Sequence, residues 1–334
     1  MKRILIIGNY QPSVGGISGQ IEVLYQCLQK ERIDCAIFST KGSLQKRLLL
    51  FFKLLRTARF YDVLHIHGCS EWGFLPVVYG VIVGKIWHKR IIVTYHGGGA
   101  DEYFAKRPEF VKRWLNRADT VIVLNGYLEK VFKHYEIPCV VIPNIVKLNE
   151  VPQRVTHEGI RFISVRHLRP LYNIPCILQA YRQVREQYEN CSLTILGQGP
   201  EREELEQMVN EQHISDVTFV GQVPNTEMMR YLSESDIMLS APHIDNMPVS
   251  VLEAMNAGVL VISSRVGGVP YIIEEDTTGL FFTDDNAEEL AAKMIWAIEH
   301  PKEREQMVAE AKKDVKKYTW KKVKAKLLEK YMCQ

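Results

Sequence analysis

Asp245 and Glu253 stand eight positions apart in the stretch APHIDNMPVSVLEAMNAGV, which runs from Ala241 to Val259. Two carboxylates so placed suit three kinds of chemistry: a general acid and base, a metal cage, or a clamp on hydroxyl groups, for which an ionised carboxylate offers only acceptors. Asp236–Ser240 reads as a strand, Ala241–Met247 as a loop, and Pro248 as the first turn of a helix. Glu253 then falls about one and a half turns inside that helix, while Asp245 stays in the loop. The helix start presents N–H groups to an anion, so a diphosphate flanked by hydroxyl-bearing rings fits there. An acid favouring the helix dipole, beside a buried and satisfied Glu, produces the same spacing without any function.

Other chemistry-bearing residues also follow apolar runs. Thr94-Tyr95-His96-Gly97-Gly98-Gly99 sets a histidine and three glycines after the run Ile91–Thr94. Gly8 opens a loop that contains Gly15-Gly16, and adjacent glycines before a helix let backbone amides approach an anion. Gly197-Gln198-Gly199-Pro200 resembles the start of a dinucleotide fingerprint, but Arg202 holds the third glycine position. Gly221 ends the next run, where a ribose-binding acid belongs, which counts against NAD.

The elements that must position these residues are short β-branched runs alternating with helical segments. The runs Ile4–Ile7, Cys35–Phe38, Val63–Ile66, Ile91–Thr94, Thr120–Leu124 and Val140–Ile142 precede Pro143-Asn144. A polar stretch follows, and the alternation restarts at Ile160–Val165, Ser192–Leu196, Val217–Val220, Ile237–Leu239, Val259–Ile262 and Leu280–Phe282. Continuous apolar strands between helices imply parallel sheets covered on both faces. Two such series imply an α/β chain of two doubly wound, Rossmann-like domains facing across a cleft, with ligands beyond the carboxyl ends of the strands. The expected boundaries are 1–145 for the first domain, 146–159 for the linker and 160–317 for the second.

Seven scattered cysteines without a CxxC pair argue against a disulfide framework or zinc site and for a reducing cytoplasm. No stretch approaches the roughly 20 apolar residues that span a bilayer. The start, Met1 to Gly8, reads as a buried strand and not as a signal peptide. The net charge of +3 is uneven: residues 1–150 hold 21 Lys/Arg against 12 Asp/Glu, and residues 151–300 hold 10 against 22. A basic first half suggests an anionic partner. No recognised nucleic-acid motif accompanies it, so nucleic acid is not expected.

Asp245-Asn246-Met247-Pro248 with Glu253-Ala254-Met255 and Gly258 resembles the E-x7-E signature of retaining GT-B glycosyltransferases of family 4. The resemblance runs over nearly the whole chain. It takes in Gly15-Gly16, Thr94-Tyr95-His96-Gly97, Pro143-Asn144, Arg166-x-Leu168, Gly197-x-Gly199-Pro200, Gly267-Gly268-Val269-Pro270 and Thr278-Gly279. It implies a nucleotide-diphospho-sugar donor, a UDP-sugar in preference to a GDP-sugar, and no further cofactor. By the same resemblance Glu253 holds ribose hydroxyls and Asp245 the donor sugar. The backbone of Asn246, Met247, Pro248, Val249 and Ser250 receives sugar and diphosphate, Arg166 neutralises the diphosphate, and Gly15 and Gly16 approach it. His96 sits beside the reacting centre, while Gly197, Gly199, Gln222 and Val223 border the base. His96, Asp245 and Arg166 form the expected catalytic set, and residues 318–334 form a helix that packs back on the first domain.

Three departures stand out: Asp245-Asn246-Met247 where Glu-Gly-Phe is usual, Asn173 where Lys is common, and Tyr271 where Glu follows Gly-Gly-Val-Pro. They occur together in a subgroup associated with bacterial surface-polysaccharide synthesis. No DxD motif follows a strand. Asp284-Asp285-Asn286 reads as a loop and helix cap, so transfer without a metal is expected.

Leu44 to Phe60, LQKRLLLFFKLLRTARF, places Leu44, Leu48, Phe51, Phe52 and Leu55 at helical spacing, with Leu49, Leu50 and Leu54 outside that stripe. Lys46, Arg47, Phe51, Phe52, Lys53 and Arg56 are the expected contacts to an anionic membrane. The implied function is sugar transfer to a glycan or lipid-linked acceptor, peripheral at the inner face of the cell membrane. A non-catalytic sugar-nucleotide-binding partner protein and a sugar-nucleotide epimerase of the same fold are the alternatives.

Overall fold

The structure, a computed structural model, describes residues 2–12, 16–42, 44–147, 151–152 and 157–332, with the backbone alone for 44–48. Gly15 and the side chains of Lys46 and Arg47 lie outside the described residues. The chain divides into two compact units, Met1–Lys147 with Tyr318–Gln334, and Leu148–Lys317.

In the first unit the strands are β1 (Ile4–Gly8), β2 (Cys35–Ser39), β3 (Val63–Gly68), β4 (Arg90–Tyr95), β5 (Thr120–Val123) and β6 (Val140–Val141). They form one parallel sheet in the order β2-β1-β3-β4-β5-β6. β1 and β3 are buried at every position, as strands covered on both faces must be. One face packs Leu5, Ile7, Leu64, Ile66, Ile91 and Val93 under helices that include Leu75–Ile86. The other packs Ile4, Ile6, Val63, Ile92 and Ile122 against the helices Ile17–Lys30 and Trp320–Met332.

The last helix is thus part of the first unit's core, through Val323, Leu327 and Tyr331. Polar ties fix its register: Trp320 Nε1 and Lys324 Nζ both donate to Glu31. Arg90 Nε donates to the Lys330 carbonyl at 2.6 Å. At its far end the buried Tyr331 hydroxyl hydrogen-bonds His65 Nδ1 at 2.7 Å.

The second unit holds β7 (Ile160–Val165), β8 (Cys191–Leu196), β9 (Val217–Gly221), β10 (Ile237–Ser240), β11 (Leu260–Ser264) and β12 (Leu280–Phe282). Its parallel sheet has the order β12-β11-β10-β7-β8-β9. In both sheets the chain winds one way from the founding strand and then the other, which opens a crevice at the switch between β1 and β3 and between β7 and β10. Pro248 precedes the helix Val249–Ala257 and is not in its first turn, because its ψ of 116° is extended.

The helix Leu44–Ala58 corrects one expectation. Its core side is Leu50, Phe51, Leu54, Leu55 and Ala58, which shares only Phe51 and Leu55 with the stripe read from spacing. Leu54 is fully buried, and Phe51 meets Tyr79 edge-on, so Phe51 is committed inward. Leu49 (69% exposed) and Phe52 (52%) face solvent with Lys53 and Arg56. Trp87, also exposed, donates Nε1 to the Leu55 carbonyl. Among the described residues no helix is long and apolar enough to cross a membrane.

Tyr331→Phe leaves His65 Nδ1 without its buried partner. The first unit should lose about 1–3 kcal/mol, read as a lower urea midpoint at unchanged slope; an unchanged midpoint would contradict the tie.

Candidate active site

In the second unit the polar groups gather at the switch point between β7 and β10. Arg166 follows the last residue of β7, and Ser240 ends β10. The Arg166 side chain is only 8% exposed, and Nη1 meets Asp245 Oδ2 at 2.8 Å. Nη2 donates to Ser240 Oγ at 3.0 Å, and the guanidinium lies 5.3 Å from the Tyr172 ring centroid, within cation–π range. Its buried Nε has no hydrogen-bond partner among the described residues.

Asp245 is held as firmly as the arginine it pairs with. Oδ1 accepts the Asn246 N–H at 2.7 Å, and the Asp245 carbonyl accepts from Gly268 N at 2.9 Å. Gly267 (φ 50°) makes that approach possible, since a Cβ there would stand 2.1 Å from the Asp245 carbonyl oxygen. Gly197 and Gly199 are constrained in a related way, because a Cβ on either would fall within 2 Å of the Arg166 or Leu168 carbonyl oxygen. These two glycines thus seat the β8 loop on the β7 loop that carries Arg166. Gln222 and Val223 follow β9, with Gln222 exposed and Val223 half-buried.

Asn246, Met247 and Pro248 are buried, and Val249 and Ser250, the first residues of the helix, are half-buried. Glu253 lies on the same helix, where Asn225 Nδ2 donates to Oε1 at 2.8 Å. The residue keeps some accessible surface, yet burial around the carboxyl pushes it up to about 7 against that hydrogen bond. Asn173 serves the backbone instead. It adopts a left-handed conformation, caps the helix Ile174–Arg185 through Cys176 N, and donates to Asp285 Oδ1 at 2.7 Å. Asn286 caps the helix Ala287–Glu299 by accepting from Glu289 N.

In the first unit His96 follows β4, and its Nε2 lies 2.9 Å from His67 Nδ1. The two rings lie edge to edge and nearly parallel, with centroids 5.1 Å apart and an 18° tilt, and the His65 centroid stands 4.6 Å from that of His67. His65 Nε2 pairs with Thr94 Oγ1 at 2.8 Å. Burial drives all three rings to the neutral form: His65 to about 3, His96 to about 4 and His67 well below the ordinary value. Gly16 (φ 65°) precedes the helix Ile17–Lys30, and no atom of the described residues lies within 4 Å of where a Cβ would sit.

Sequence reasoning points to His96 but not to His65, His67, Tyr331, Ser240, Tyr172 or Asn225. One signal is present: His65 and His67 lie two apart on a strand and so share a face. Among the described residues no group of three or more His, Cys, Asp or Glu side chains is arranged to hold a metal ion.

The architecture has close counterparts among solved structures. Sucrose-phosphate synthase from Thermosynechococcus elongatus superposes with a TM-score of 0.85 over 99% of this chain and 98% of that one, at 18% identity. HepE of Anabaena, crystallised in complex with UDP, gives 0.81 over 99% of each chain at 17% identity. The fold is that of the GT-B glycosyltransferases. The Glycosyltransferase Family 4 domain matches residues 28–150 and the Glycosyl transferases group 1 domain matches residues 149–314, and the chain belongs to this family. The amylovoran biosynthesis glycosyltransferase AmsK of Erwinia amylovora is 30% identical over 156 residues, which cover 45% of this chain and 38% of AmsK. The chain therefore spans about two fifths of that curated relative's length.

The histidine cluster has a measurable consequence. Folded rings that titrate below 6.5 mean that the unfolded chain binds more protons between about pH 6.5 and pH 4. Stability is then complete above 6.5 and is lost as pH falls towards the folded values, on the order of 2 kcal/mol per ring by pH 5. Four of the five tryptophans (72, 87, 114 and 320) belong to the first unit, so tryptophan-detected urea melts report it. Their midpoint should drop from pH 7 to pH 5; a midpoint independent of pH would refute the buried neutral cluster.

Proposed function

We propose that the protein is a retaining, metal-independent glycosyltransferase. It moves a sugar from a nucleotide-diphospho-sugar, a UDP-sugar in preference to a GDP-sugar, to a glycan or lipid-linked acceptor in cell-surface polysaccharide synthesis. The observation that carries this reading is the buried Arg166. Its Nε lacks a partner among the described residues, and it is paired to Asp245 in the loop that leads into the helix bearing Glu253.

Each residue then has a role that its chemistry suits. Breaking the bond to the diphosphate leaves negative charge on the departing oxygen. Arg166 and the first-turn N–H groups of the helix Val249–Ala257 stabilise that charge as it develops. A guanidinium already fixed by Asp245, Ser240 and Tyr172 needs no reorganisation when the bond breaks. Glu253 accepts from the ribose hydroxyls, Asp245 from the donor sugar, and the segments Gly197–Pro200 and Gly221–Val223 border the base. For the first unit, the family resemblance assigns His96 to the reacting centre and Gly16 to the diphosphate. Asn173, spent on its cap and on Asp285, supplies no positive charge, so Arg166 and the helix end carry more of that duty.

The state of Glu253 gives the test. A carboxyl held near 7 is partly protonated at neutral pH, and two donating hydroxyls favour its charged form. Binding of the favoured nucleotide at pH 6.5 should therefore release a proton, seen as a binding heat that depends on the ionisation enthalpy of the buffer. Titration with UDP, GDP, ADP and their sugar conjugates, without metal, should single out one nucleotide. Glu253→Ala should weaken it about ten-fold or more and abolish the buffer dependence. Binding of none of them, even with magnesium or anionic vesicles added, would overturn the assignment of the donor site.

The exposed strip of Leu49, Phe52, Lys53 and Arg56 suits the interface of an anionic bilayer. Co-sedimentation with vesicles containing phosphatidylserine should retain the protein at low salt, and Phe52→Ser combined with Arg56→Glu should release it. Absence of binding by the unmodified protein would remove the membrane from this reading.

A further inference from the structure

His65, His67 and His96 line a cavity of about 30 Å³ together with Gln20, Thr94 and Asn144. Both nitrogens of His65 are paired, to Tyr331 and to Thr94. His67 is different. Nδ1 is shared with His96 Nε2, while the buried Nε2 has no partner among the described residues.

Two arrangements of neutral rings satisfy the 2.9 Å contact. In one, His96 Nε2–H donates to His67 Nδ1. The proton of His67 then sits on Nε2, a buried N–H with no acceptor. In the other, His67 Nδ1–H donates to His96 Nε2, and the unpaired atom is only an acceptor. Orphaned buried N–H groups are rarer in folded proteins than under-used acceptors, and leaving a buried donor unsatisfied carries its full desolvation cost. A doubly protonated ring is excluded by the same burial that holds the cluster neutral.

We propose that His67 is a positioning residue: by donating Nδ1–H to His96 Nε2 it fixes His96 as the neutral Nδ1–H tautomer. The other nitrogen of the His96 ring is then a donor, and its basic lone pair is occupied. If the transfer reaction proposed above is correct, on which this role rests, His96 has no basic lone pair left with which to take up the proton of the acceptor. The nearly coplanar setting of His67 and His96 aims that hydrogen bond along the plane of the His96 ring. His65 packs behind His67 and is itself anchored to Tyr331 and Thr94.

The test is long-range ¹H–¹⁵N correlation spectroscopy on protein labelled with ¹⁵N-histidine at pH 7, with the His96 signals assigned by a His96→Asn variant. The expected pattern for His96 is protonated Nδ1 and unprotonated Nε2. His67→Phe keeps an aromatic ring in the buried position but removes the donor, and should shift the proton of His96 towards Nε2. His67→Asn, whose amide nitrogen falls near the place of Nδ1, should restore the original pattern. A His96 that carries its proton on Nε2 in the unmodified protein overturns the proposal, and so does a tautomer unmoved in a folded His67→Phe variant. Should that variant fail to fold, the spectrum of the unmodified protein decides. Nucleotide binding is followed on the same samples. Binding with the wrong tautomer overturns this inference alone, and the expected tautomer without binding overturns the function alone.

Discussion

A guanidinium removed from water must be paired, because a buried unpaired charge costs several kcal/mol. Arg166 sets this condition for the second unit. Its position after β7 places it at the one place in a doubly wound sheet where neighbouring connections part. Asp245 and Ser240 from the end of β10 and its loop, and the Tyr172 ring from the connection that carries Arg166 itself, then have to converge on it. Gly197, Gly199 and Gly267 follow from that convergence, since each lies where a Cβ would strike the backbone of another loop. Their absence of a side chain is a packing requirement of the charge pair.

The first unit meets the corresponding problem without charge. Three histidines on β3 and directly after β4 remain neutral because they are buried, and apart from His67 Nε2 the nitrogens of His65 and His67 are engaged by His96, Thr94 and Tyr331. Neutral rings carry little desolvation penalty compared with ions, but they demand a lid that brings a hydrogen-bonding group. The helix Trp320–Met332 supplies both the apolar cover, through Val323 and Leu327, and the hydroxyl of Tyr331.

The two sheets were legible in the sequence because strands buried on both faces must be written as unbroken apolar runs, and each of those runs became a strand to within a residue or two. The Asp245–Glu253 spacing was legible because a loop followed by a helix fixes it locally. What lay beyond reading depends on distant partners. The hydroxyl that completes His65 comes from 266 residues away, and Asn173 meets Asp285 112 residues away. The helix Leu44–Ala58 misled for another reason. With apolar residues around most of its circumference, spacing alone did not distinguish the core side from the exposed side, and only packing on Leu75–Ile86 and its neighbours assigned Leu54 to the inside.

The aspartate at 245 has a consequence of its own for the proposed chemistry. Its carboxylate already spends Oδ1 on the Asn246 N–H and Oδ2 on Arg166. A glutamate reaches one methylene further and can leave the loop behind, whereas this shorter chain is tied close to its own backbone. Any sugar hydroxyl it receives must therefore use the remaining lone pairs of an oxygen already engaged. Arg166, for its part, meets an incoming diphosphate with its charge partly balanced, so Coulomb attraction is weaker than for a lone cation, while the fixed direction of its N–H groups is retained. Affinity at such a site comes less from net charge than from geometry, and the Nε–H, without a partner among the described residues, together with the helix end is where that geometry is concentrated.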